Sequence, residues 1–270
     1  MYKQSSKDIL DKFLNITVSN GEDIFKIFSE LPGAVIGYGK KPLERYVYIP
    51  GKRKNRVVLV AHTDTVWDNE YGASVQSEVC FENGVYFSKN TNCGIGADDR
   101  AGCAMLWALK ESGHSLLLLD GEEHGKIGAK YLHKANKKVF RQLNRHKFMI
   151  ALDWQGTNGC LYNQVDNTPA FKNYIAAYLG FQDDKQKGGS DLQILCQRIC
   201  GVNVGVGYHN YHRHTETLNL EEWENTYQKL SGFLQQEHPV FKIPLIKRLR
   251  AMYIRFKVWV RNILHKLNIV

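Results

Sequence analysis

The sequence predicts an α/β protein built on a mostly parallel mixed sheet sandwiched by helices. Continuous apolar runs such as RVVLVA and SLLLL have the character of strands buried on both faces. From residue 98 onward such runs alternate with segments of helical period. At 270 residues and 43% hydrophobic content the chain is long enough to fill a large core.

In chain order, residues 5–31 read as two helices. The second, GEDIFKIFSEL, carries apolar residues at 24, 25, 27, 28 and 31 and stops at Pro32-Gly33. RYVYIP and RVVLVAHTD read as strands. SEVCFENGVYFS has an Asn-Gly between two β-rich arms, the signature of a hairpin. The helix DDRAGCAMLWALKES, the strand SLLLLD, the helix IGAKYLHKANKKVF and the strand KFMIALD then alternate. A helix near 169–180, a loop GGSDLQILCQ entering a helix, the strand CGVNVGVG and the helix LEEWENTYQKLSGFLQQ complete the series. In open sheets of this kind ligands gather beyond the carboxyl ends of the strands. The polar residues that matter should therefore follow directly on apolar runs.

The net charge of +9 suggests a polyanionic partner until its distribution is considered. Residues 242–270 hold eight Lys or Arg and no acid, leaving 28 basic against 27 acidic side chains in residues 1–241. So nearly neutral a body gives no reason to expect nucleic-acid binding. Six cysteines without tight paired spacing, and an N-terminus without the apolar run of a signal peptide, point to a reduced, cytoplasmic protein. The sequence offers no run of about 18 apolar residues to span a bilayer.

Five strand ends or helix starts carry His, Asp or Glu. His62 and Asp64 follow VVLVA, Asp98 and Asp99 open a helix in GADDRAG, and Glu122 and Glu123 follow SLLLLDG. Asp153 ends FMIALD, and YHNYHRHTE, with His209, His212, His214 and Glu216, follows VNVGVG. Any one of these has an ordinary explanation as a helix cap, a turn former or a solvated side chain. Their convergence on one rim, in the residue types that hold zinc or a similar divalent ion, does not.

Taken in order, HTD, GADDRAG, GEEHGKIGA, the strand-terminal Asp153, GGSD and a late His with Glu four residues on resemble the di-zinc exopeptidase superfamily. That superfamily includes peptidase T, carboxypeptidase G-like enzymes and the zinc aminopeptidases, and the likeness spans about residues 56–236. It implies the phosphorylase/hydrolase-like zinc-peptidase fold and two Zn2+ ions, with Co2+ or Mn2+ as substitutes. Residue by residue it implies that His62 and Asp153 ligate one ion, that Glu123 and His212 ligate the other, and that Asp98 bridges them. His214 stands as the alternative to His212. Glu122 is then the general base, unbound by metal, which takes a proton from the attacking water and delivers it to the leaving amine. Asp64 orients His62 through its second ring nitrogen. Asp99, after a cis peptide, shapes a turn, and Gly96 and Gly102 fit a tight backbone passage. Asp120 reads as a turn residue. Ser190 or Asp191 of GGSD caps the following helix.

The reaction so implied is peptide-bond hydrolysis by an aminopeptidase or small-peptide exopeptidase, on a small peptide or amide substrate. The alternatives are an N-acyl amino acid amidohydrolase and a non-hydrolytic metal-binding module tethered by its tail. Many relatives insert a lid or dimerisation domain before the GGSD loop, but only 34 residues separate Asp153 from Gly188 here. A single catalytic domain over residues 1–241 is therefore expected, of open oligomeric state, followed by a tail over 242–270. In that tail Leu245, Leu249, Met252, Phe256, Val260, Ile263 and Leu267 keep helical spacing, with Lys and Arg mostly on the other face. A basic amphipathic helix over residues 243–270 suits peripheral contact with an anionic membrane or an acidic partner. Packing on its own domain or on a second subunit is the alternative.

Overall fold

The computed structural model describes residues 5–67, 77–89, 92–162, 165–186, 188–247, 249, 253, 257 and 260. Two amphipathic helices come first, α1 (Ser6–Leu14) and α2 (Gly21–Ser29). Each is started by a side chain that accepts a first-turn amide, Ser5 from Asp8 and Asn20 from Glu22. Then follow β1 (Val35–Tyr38), β2 (Arg45–Ile49), β3 (Val58–His62), β4 (Val79–Glu82), β5 (Val85–Ser88) and α3 (Ala97–Ala108). β6 (Ser115–Leu119) leads into α4 (Ile127–Ala135) and α5 (Lys137–Leu143). β7 (Met149–Trp154) leads into β8 (Gly159–Leu161), α6 (Pro169–Leu179), β9 (Gln182–Asp183) and α7 (Leu192–Leu195). β10 (Gly201–Gly205), β11 (Tyr208–His209), β12 (Thr217–Asn219) and α8 (Leu220–Leu234) complete the described elements.

The main sheet runs β1-β2-β6-β3-β7-β10-β8-β9. Its centre, from β6 through β3 and β7 to β10, is parallel, while β1-β2, β2-β6 and β10-β8 pair antiparallel. Every residue of β3, β6 and β10 is buried, which is why VLVA of β3 and LLLL of β6 read as unbroken apolar runs. Helices flank the sheet in two groups. The rings of Phe13, Phe28 and Trp107 join α1, α2 and α3 at centroid separations of 5.8 to 6.3 Å, and α4 packs on α5 and α7. Parallel order points the carboxyl ends of β6, β3, β7 and β10 to one edge and their amino ends to the other.

Several features depart from the sequence reading. IGAKYLHKANKKVF is two helices, because the Asn136 side chain accepts the Val139 amide and starts α5 where α4 stops. The hairpin forms, with Asn83 and Gly84 both at positive φ, but it joins a second sheet of order β11-β12-β5-β4. β8, α6 and β9 fill the interval before the GGSD loop by extending the main sheet and packing on α8. After α8 the chain crosses the amino ends of the strands. There Lys242 bridges Ile199, and the buried Ile243 donates to the Arg198 carbonyl at 2.9 Å, so contacts with the body continue past residue 241. Residues 245–247, 249, 253, 257 and 260 are helical, whereas Met252, Phe256, Ile263 and Leu267 lie outside the described residues. Among the described residues no helix is long and apolar enough to cross a membrane.

Candidate metal centre

The carboxyl ends of the central strands bring the predicted residues together. His62 ends β3, Asp153 lies in β7, Glu122 and Glu123 follow β6, Asp98 stands at the start of α3, and His212 lies in the β11–β12 loop. His62 Nε2 is 3.3 Å from Asp98 Oδ1 and 3.5 Å from Asp153 Oδ1. On the far side of Asp98, His212 Nε2 is 3.2 Å from Oδ2 and 2.7 Å from Glu123 Oε1. One carboxylate therefore turns an oxygen to each of two imidazole–carboxylate pairs. His214 is exposed and makes no hydrogen bond or ion pair among the described residues, while His209 bonds Glu222 at 2.7 Å. Beside His212 a hollow of about 430 Å³ opens, lined by Gln155, Asn210, Tyr211, His212 and Arg213.

Neighbouring side chains hold each of these segments in place. Asp64 Oδ1 lies 3.2 Å from His62 Nδ1, and the two oxygens of Asp64 accept the amides of Glu122 and Glu123, both at 3.0 Å. Asp99, after the cis Asp98–Asp99 peptide, accepts the amides of His62 at 2.9 Å and Gly102 at 3.1 Å, so it shapes the backbone. Gly96 holds the left-handed φ of +64°, and a Cβ on Gly102 would meet the Leu152 carbonyl at 2.1 Å. Glu216 Oε1 accepts the Asp98 amide at 3.1 Å, and Asn203 accepts the Asp153 amide at 3.0 Å while donating to its carbonyl at 2.6 Å.

Glu122 has a cation beside it, with Lys126 Nζ 2.9 Å from its Oε1. Two sequence expectations are corrected. Asp120 does accept the Gly121 amide at 3.0 Å, but it is fully buried and also pairs with Arg45, which reaches on to Glu22. Asp191 stands at the N-cap position of α7 yet caps nothing, and its buried Oδ1 has no hydrogen-bond partner. The supporting roles of Asn203 and Lys126 were not anticipated either.

The model of peptidase family M28 matches residues 46–226, two thirds of the sequence and nearly all of the sheet that builds this site. The chain belongs to peptidase family M28. It is accordingly a zinc-dependent metallopeptidase. Solved structures with the same fold include the aminopeptidase PepT of Bacillus cereus and a tripeptidase of Staphylococcus aureus. Each is 14% identical, with a TM-score of 0.64 over 87% of this chain and 98% of that one. The TET1 peptidase of Pyrococcus horikoshii, described as assembling into a tetrahedron or a large octahedral shell, is 14% identical. Its TM-score is 0.59, with 85% of this chain and 99% of that one covered. A search of the curated proteins found no match.

The M28 site has the chemistry to hold metal. Ligand atoms of His62, Asp98 and Glu123 lie within 4.8 Å of one another, as do those of His62, Asp99 and Asp153. Since both Asp99 oxygens already accept backbone amides, Asp98 is the carboxylate left to face a cation. Burial and neighbouring charges act strongly on these groups. Burial, reinforced by Asp98, pushes Glu123 up to about 7, and burial pushes Asp153 up to about 8 against the pull of His62. Burial works against a charged His212, but Asp98 and Glu123 overcome it and push the imidazole up to about 10. His62, equally opposed by burial, is held well above its ordinary value by Asp153, Asp64 and Asp98. Divalent ions would match so dense a group of buried carboxylates and imidazoles.

Proposed function

We propose that the protein is a co-catalytic two-zinc exopeptidase of small peptides, with an aminopeptidase as the leading form. The observation that carries this reading is the position of Asp98 between two imidazole–carboxylate pairs, since two cations held close together need a shared anion. His62 and Asp153 hold one Zn2+ in this proposal and Glu123 and His212 the other, all nitrogen and oxygen donors that zinc accepts, with Co2+ or Mn2+ as substitutes. Bound there, the ions supply carbonyl polarisation and a lowered pKa for the attacking water.

Glu122 adjoins Glu123 but is outside both ligand sets, which makes it the proton acceptor. Lys126 anchors Oε1, and Oε2 remains to take the proton and return it to the leaving amine. Asp64 binds the His62 ring and the Glu122–Glu123 backbone at once, so it sets the base relative to the ligands. The hollow beside His212 offers room for a substrate side chain.

A second reading is hydrolysis of an N-acyl amino acid. Paired kinetics on free-amine dipeptides and their N-acetylated forms separate the two, with cleavage of only the free amines expected. Glu122→Gln should lower kcat by about 10²- to 10⁴-fold at unchanged zinc content. Undiminished hydrolysis in that variant would remove Glu122 from the mechanism, and a wild-type protein inert across the panel would favour a tethered binding module.

A further inference from the structure

The opposite edge of the sheet carries a charge pattern of its own. Lys54 and Arg56 lead into β3, Arg145 and Lys147 into β7, Arg198 into β10, and Lys242 lies where the chain crosses these ends. They line two adjoining hollows of about 260 and 380 Å³ that share Arg145 and His146. The Lys and Arg side chains that pair with carboxylates among the described residues are others: Lys7, Lys26, Arg45, Lys89, Lys126 and Lys172. The carbonyl of Arg56 and the amide of Lys147 bond each other, as do the Lys147 carbonyl and the Phe241 amide, so three chain segments bring these cations together.

The stretch 242–270, with eight Lys or Arg and no acid, begins at this same edge. Helical residues near its start expose apolar side chains: Leu245 is 63% exposed, Ile246 78%, Leu249 53% and Tyr253 57%. Leu245 and Leu249 thus leave more than half of their surface open to solvent.

We propose that the amino-end edge and the start of the tail together form a docking face for an anionic lipid surface. Unpaired cations supply attraction to acidic headgroups, and aliphatic and tyrosine side chains enter the interface between headgroups and acyl chains. A soluble polyanion would use the cations but leave Leu245, Ile246 and Leu249 in water, so the lipid fits the whole face better. Because this edge lies across the sheet from the metal centre, the docked protein keeps its site open to soluble substrate.

The test is co-sedimentation of the full chain with vesicles of phosphatidylcholine alone or enriched in phosphatidylserine, a readout that does not depend on hydrolysis. Binding only to the phosphatidylserine vesicles is expected, weakened by added salt. The triple variant Lys54→Gln, Arg145→Gln, Arg198→Gln should lose at least about tenfold in affinity. The pair Leu245→Ser, Leu249→Ser, on exposed positions, should weaken binding as well, with unchanged melting temperature in both proteins. Equal binding to neutral vesicles, absence of binding, or wild-type affinity in the triple variant would overturn the proposal. Equally tight binding to DNA or polyglutamate, insensitive to the leucine changes, would assign the face to a soluble acidic partner instead.

Discussion

Asp64 has more structural work than its sequence position suggested. HTD placed it two residues beyond His62, which accounts for its approach to the imidazole, but its grip on the amides of Glu122 and Glu123 appears only when β6 lies beside β3. Removing it frees a metal ligand's ring and the backbone that carries another ligand and the base. Asp64→Ala should therefore weaken zinc binding about 10- to 100-fold in a chelator-competition titration. Unchanged affinity would show that the ligands are held by other means. The candidate ligands were readable because each ends an apolar run or opens a helix, where polar residues are conspicuous. Lys126 was not, since nothing local separates a lysine at a helix entry from an ordinary surface lysine. Asn203 sits inside a buried strand and matters only through its partner, Asp153.

At the scale of elements, long runs were readable and short ones were not. β3, β6 and β7 carry enough consecutive apolar residues to announce themselves, whereas β8, β9, β11 and β12 have two or three residues each and exist through their neighbours. The break at Asn136 depends on one side-chain bond to the Val139 amide, which helical periodicity does not register. The strand entries contribute a pH dependence. His146 donates from Nδ1 to the Gln142 carbonyl at 2.9 Å, and its Nε2 accepts from Ser115 at 2.8 Å and from Arg56 at 3.2 Å, an arrangement for a neutral ring. Burial, with Arg56 adding to it, pushes His146 down to about 4. The unfolded chain thus takes up a proton that the folded chain refuses, so stability is lost as pH falls from about 6.5 towards 4. That shift corresponds to about 3 kcal/mol for this 4% exposed side chain. Urea denaturation at stepped pH should show a shallower fall over this window in His146→Gln than in the wild type. Parallel curves would mean that other groups govern acid sensitivity.

Over the whole molecule, the near balance of charge in residues 1–241 concealed a separation that folding produces. Acids gather at the carboxyl ends of the central strands and unpaired bases at the amino ends, from positions far apart in the chain. Net charge cannot display this, because it sums over both edges. At the acidic edge, folding brings together ligands that are scattered in the unfolded chain, so bound metal should stabilise the whole fold. At a thousandfold excess over Kd each bound ion contributes about 4 kcal/mol, and chelation should lower the melting temperature accordingly. The most direct measurement is the zinc content of the full chain after equilibration with saturating zinc and removal of the excess. Two ions per chain are predicted for the wild type, with loss of tight binding in Asp98→Ala. One ion or none in the wild type, or two retained without Asp98, would contradict a shared centre built on that carboxylate.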